Sequence, residues 1–180
     1  ITDEIKPTTK LEDRNGVIIG GNMVRWYGGF DSYIVAQEFE TDIYAPSMGR
    51  KIDREDEMDI HHLPYMNWIE WMNNLSKFKY AVHLMPTHAA GTFALNCAYH
   101  GIPCIGYKGL DTQELCFPHL SVDMGDLNKA KQLARRLKTD NDFYDDCGEC
   151  FGERVISNVR NASNTGCGCG NPAPTLWYSD

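Results

Sequence analysis

Residues 81–107, AVHLMPTHAAGTFALNCAYHGIPCIGY, decide the fold. Ala81-Val82-His83-Leu84-Met85 is an almost unbroken apolar run, the pattern of a parallel strand covered on both faces. Pro86 ends it. The small, polar residues Thr87, His88, Ala89, Ala90, Gly91 and Thr92 then form a turn in which backbone N–H groups can come close to a ligand. A helix follows over 93–100, stopped by Gly101. Residues 103–107 supply the next strand. A strand, a glycine turn and a helix in this order make a natural seat for phosphate, because the helix start carries free donors and partial positive charge.

The same alternation extends in both directions. Residues 1–15 are polar, charged and proline-bearing and read as a lead-in or linker. A buried strand over 16–19 breaks into a glycine turn, and Arg25, Trp26, Tyr27, Gly28 and Gly29 form a loop with one cation. Asp31-Ser32 is positioned to cap a helix through Tyr33, Val35, Ala36 and Phe39. A short strand over 42–46 precedes a loop carrying Arg50 and Lys51, and the dense charges of 52–59 read as a solvated turn. A third strand over 60–65 leads to a helix capped by Asn67, whose apolar side is Trp68, Trp71, Met72, Leu75 and Phe78. Beyond the opening stretch come a helix over 112–117, a strand over 120–123 and an amphipathic helix capped by Asp126. A further helix over 141–159 and a tail over 160–180 rich in Gly, Asn and Pro complete the chain.

Strict alternation of this kind predicts an α/β fold: a Rossmann-like open parallel sheet with helices on both faces, in one domain spanning 16–159. Ligands of such sheets bind beyond the carboxyl ends of the strands. The turns at 20–29, 47–51, 64–66 and 86–92 all fall at those ends and are expected to share one edge.

Composition narrows the function. With 180 residues, 42% hydrophobic and 23% charged, the chain is long enough for a sizeable core and ordinary for a globular protein. A net charge of -8 argues against a nucleic-acid-binding surface, so an anionic ligand must be met by local cations and backbone donors. No apolar run is long enough to span a membrane. Seven cysteines is an odd number, and Cys97, Cys104 and Cys116 lie in apolar periodic segments, so buried free thiols and a reducing, cytoplasmic setting are expected. Cys147, Cys150, Cys167 and Cys169 could offer four thiolates to structural zinc, but they lack the spacing of paired knuckles and two of them lie in a helical pattern. No metal or other cofactor is expected. The first residue is Ile1, not Met, which points to a piece of a longer protein with a partner domain on its N-terminal side.

The progression 63–65, 80–86 and 94–105, with its phrase Asn96-Cys97-Ala98-Tyr99-His100-Gly101-Ile102-Pro103, resembles the C-terminal, donor-binding domain of GT-B glycosyltransferases. There a strand ends in Pro-Ser/Thr, and the following helix carries Glu-Ala-x-Ala-x-Gly-x-Pro into the next strand. The resemblance covers about 16–158 and implies transfer of a sugar from a nucleotide-sugar to an acceptor held largely by an N-terminal domain. It also implies chemistry that needs no bound metal. Retaining members carry Glu-x7-Glu, and here the two positions are His88 and Asn96. Asn96 can hydrogen-bond a ribose hydroxyl, and His88 can contact the donor sugar or phosphate. Thr87, Ala90, Gly91 and Thr92 would cradle the diphosphate, with Gly21, Asn22 and Arg25 facing them and Arg50 adding charge. Tyr65 and Met66 fall where the family places the base. No residue is singled out as catalytic. His61, His62 and His83 read as structural, and Trp68 and Trp71 as core. The missing glutamates leave two further readings open: an epimerase-like GT-B relative, and a non-catalytic nucleotide-binding or interaction module.

Overall fold

The computed structural model describes residues 3–6, 8–46, 49–87, 91–141 and 143. Six strands form one fully parallel sheet: β1 (Val17–Ile19), β2 (Ile43–Pro46), β3 (His61–Leu63), β4 (Tyr80–His83), β5 (Cys104–Tyr107) and β6 (Ser121–Val122). Their spatial order is β3-β2-β1-β4-β5-β6. The central strands are the most apolar ones, and β1, β4 and β5 are buried at every position. β1 is paired on both sides, Val17 lying opposite Ile43 of β2 and Tyr80 of β4.

Among the described residues five α-helices cover the sheet: α1 (Gly29–Ala36), α2 (Trp68–Leu75), α3 (Phe93–Tyr99), α4 (Asp111–Cys116) and α5 (Leu127–Thr139). They lie on opposite faces, as crossovers of the usual right hand require of a chain that runs outward in one direction from β1 and in the other from β4. α1 and α5 pack together on one face, and α2, α3 and α4 form a row on the other. Asn67 caps α2 as expected, its side chain accepting from Glu70 N while Glu70 reaches back to the Asn67 N–H. Asp126 caps α5 through Lys129 N at 3.0 Å, above the buried stripe Ala130, Leu133, Ala134 and Leu137. Asp126→Ala is expected to cost about 1 kcal/mol, read as a lower urea midpoint with an unchanged slope.

The cap expected at Asp31-Ser32 is replaced. α1 starts at Gly29, with Gly28 in the left-handed region before it, and Ser32 lies inside the helix with its hydroxyl turned to other partners. Within 1–15, read as a lead-in, Lys6 and Thr8 are held on α2 and the residue that follows it. Ile5 is buried, Lys6 N donates to Asn73 Oδ1, and Thr8 N donates to Ser76 Oγ. Cys97, Cys104 and Cys116 are buried free thiols, and burial together with the adjacent thiols raises the Cys97 pKa. Among the described residues no helix is long and apolar enough to cross a membrane. The helix expected over 141–159, the tail and the four cysteines considered for zinc fall outside the described residues, apart from Asn141 and Phe143.

Candidate functional site

The strand order reverses between β1 and β4, so the connections leaving their carboxyl ends diverge, the position at which open sheets of this kind hold ligands in a crevice. One wall is the β1–α1 loop, residues 20–29; the other is the chain leaving β4. They meet through backbone. A Cβ on Gly28 would stand 1.7 Å from the Leu84 carbonyl oxygen; within the loop itself, one on Gly29 would stand 2.2 Å from the carbonyl oxygen of Asn22. Ser32 Oγ fixes the seam by donating to Gly28 O at 2.8 Å and accepting from Leu84 N at 2.9 Å. Further out, Thr87 Oγ1 donates to Trp26 O at 2.7 Å. Thr112 Oγ1, at the start of α4, donates at 2.9 Å to the carbonyl oxygen of Gly91, two residues before α3.

His83 closes the floor. Its ring lies where a side chain on Gly20 would project, 2.5 Å from such a Cβ, and meets Phe93 edge-on at 5.0 Å. Burial lowers its pKa to about 4, so the imidazole is neutral near pH 7.

Gly21, at φ +73°, packs against the Tyr27 carbonyl, and buried Asn22 accepts from Val24 N through Oδ1 and from Gly29 N through its backbone oxygen. Arg25 is exposed in a single 3₁₀ turn, Arg25–Tyr27, between them. Thr87, Gly91 and Thr92 lie on the opposite wall. Tyr65 and Met66 follow β3, three strand spacings or about 14 Å from β4. Tyr65 is 86% exposed, whereas Met66 lies against α2, its sulfur accepting from Asn74 Nδ2. Asn96 faces α2: with its amide oriented to suit its neighbours, it accepts from Trp71 Nε1 at 3.2 Å and donates to Thr92 O at 3.3 Å. His88 and Ala90 lie outside the described residues.

Beside the crevice, at the carboxyl ends of β1 and β2, is a cavity of about 280 Å³. Asn22, Met23, Ala45, Pro46, Arg50 and His62 line it together with Glu55. The charged segment 52–59, expected to be a solvated turn, contributes this last residue from inside. Glu55 is only 4% exposed; Oε2 accepts from Ile52 N at 2.9 Å and Oε1 lies 2.7 Å from His62 Nε2. His62, read as structural, is thereby turned to the cavity side. The available signal was apolar: Ile52, Met58 and Ile60 pack on the core, so the turn between them folds inward and covers one of its acids. Trp68 also departs from expectation, being 52% exposed at the start of α2, while Trp71 is half-buried against Phe93 and Asn96.

No protein-family model matches the chain, and no curated protein matches it in sequence. Solved structures do match in fold. WaaG, a glycosyltransferase involved in lipopolysaccharide biosynthesis, superposes with a TM-score of 0.62 at 14% identity, over 81% of this chain and 44% of its own. HepE of Anabaena, solved with UDP and glucose, gives 0.61 at 11% identity, over 83% of this chain and 45% of its own. Sucrose-phosphate synthase of Thermosynechococcus elongatus gives 0.58 at 17% identity, over 85% and 47%. The chain therefore spans less than half the length of these structures, and its fold is that of one half of a GT-B glycosyltransferase.

Proposed function

We propose that a chain with this half of the GT-B fold binds the nucleoside diphosphate part of a nucleotide-sugar and serves as the donor-binding half of a sugar transferase. One observation carries the reading: at the strand-order reversal the glycine-bearing loop after β1 is packed backbone to backbone on the chain leaving β4, which sets the two loops side by side at the carboxyl edge of the sheet. Diphosphate bound there would lie between residues 20–29 and the turn ending in Gly91 and Thr92, with Arg25 supplying a cation. As the sugar leaves, charge grows on the diphosphate oxygens, and fixed N–H groups and a guanidinium aimed at those oxygens stabilise that charge. The acceptor would be held by a second domain, so the 180-residue chain alone is expected to bind donor and turn over little.

Titration calorimetry with UDP-, GDP- and ADP-sugars tests this directly. Binding of one nucleotide class is expected, and heat from none of them would overturn the reading. Arg25→Ala is expected to weaken binding about tenfold while leaving the thermal midpoint unchanged, because Arg25 is exposed and its contribution is a charge-assisted hydrogen bond.

A further inference from the structure

We propose that the cavity beside the crevice is a base pocket that selects guanine, so that the donor is a GDP-sugar; the inference rests on the nucleotide-sugar reading above. Position comes first. The cavity opens at the carboxyl ends of β1 and β2 and shares Asn22 with the crevice at β1 and β4. Adjacent strands are about 4.8 Å apart, and Glu55 is held by His62 of β3, two to three strand spacings or about 10–14 Å from the crevice, a span that a nucleoside diphosphate covers. At about 280 Å³ it falls below the roughly 300–1,000 Å³ of pockets that take whole ligands, which suits one ring system.

Its chemistry separates the bases. The one carboxylate lining the cavity, Glu55, is almost fully buried and makes one hydrogen bond through each oxygen, to Ile52 N and to His62. A carboxylate offers about four acceptor sites, so each oxygen keeps one for a ligand. Guanine presents adjacent N1–H and N2–H donors, which match a pair of carboxylate acceptors. Uracil flanks its single N–H with two carbonyl oxygens, and adenine sets an unprotonated N1 beside its amino group; both place a lone pair against the carboxylate. Arg50, exposed on the cavity lining and without an ion pair among the described residues, suits the O6 and N7 acceptors of guanine. Met23, Ala45 and Pro46 supply apolar surface for the ring.

Calorimetry of the 180-residue chain with GDP, IDP, UDP and ADP tests the pocket without altering the protein. IDP keeps N1–H and O6 and lacks only the 2-amino group. GDP is expected to bind at least about tenfold more tightly than IDP, UDP or ADP, since a site built to accept a donor leaves its buried acceptor unpaired when that donor is missing. Glu55→Gln is expected to remove that preference, and Arg50→Met, at an exposed position, to weaken GDP about tenfold with no change in thermal midpoint. UDP or ADP binding as well as GDP, or IDP equal to GDP, would overturn guanine selection while leaving the nucleotide-sugar site standing. No binding by any of the four would overturn both.

Discussion

Gly28→Ala is expected to destabilise the fold by on the order of 4 kcal/mol or more and to abolish the nucleotide binding proposed above. Two costs add. Gly28 sits at φ +67°, where an L-residue loses about 1–2 kcal/mol. The larger cost is steric: the new Cβ would stand 1.7 Å from the Leu84 carbonyl oxygen, and that atom is backbone one residue beyond β4, which no rotamer change can move. The start of α1 must therefore lift away from β4, breaking the Ser32 bridge between Gly28 O and Leu84 N. Gly125→Ala separates the two costs, since Gly125 has φ +83° and nothing within 4 Å of its would-be Cβ. It should lose only the conformational part. Urea unfolding of both variants measures the contrast, and equal losses would sink the steric argument.

Acid should unfold the protein through two buried imidazoles. His83 and His100 are both pushed down to about 4, each chiefly by burial. Neither ring nitrogen of His100 has a hydrogen-bond partner of ordinary geometry; Arg14 nearby lowers its pKa further, and the Met72 backbone acts weakly the other way. In the unfolded chain both return to about 6.5. Between pH 6.5 and 4 the unfolded state therefore binds up to two more protons, so stability is complete above about 6.5 and falls as pH drops through that window. The loss approaches about 3 kcal/mol per histidine, a large part of a typical domain's 5–15 kcal/mol. Urea midpoints at pH 7.5, 5 and 4 would show it. His100→Phe, which keeps a ring but removes the titration, should flatten the slope by about half; an unchanged slope would exclude His100 as its source.

The fold was legible where one residue type dominates a whole segment. Buried parallel strands must be apolar on both faces, so Tyr80–His83 and Cys104–Tyr107 announce themselves, and Asn67 and Asp126 announce the helices they cap. The site was legible only as a set of loops on one edge. Asp31-Ser32 has the composition of a cap, yet two glycines upstream let the backbone approach β4, and Ser32 serves that contact instead. The same limit hid Glu55 among Asp53, Asp56, Glu57 and Asp59, because which acid turns inward depends on the path of the loop. Asn96 reads as a ligand contact in the chain, and its bond from Trp71 on another helix is a partner that the local sequence does not announce.

The pairing of β1 with both β2 and β4 also sets an order of assembly. β2 follows β1 closely in the chain, whereas Val17 must wait for Tyr80. Contacts so distant in sequence carry a larger loop-closure cost and form slowly. During synthesis the growing chain can pair β1, β2 and β3 while the other edge of β1 stays open, and α1 has no β4 backbone to seat against. The crevice is thus a junction between an earlier and a later part of the polypeptide, and closing it is the step that joins the two sides of the sheet. A ligand that bridges this junction binds only the completed form, so it should slow unfolding at the seam that took longest to make.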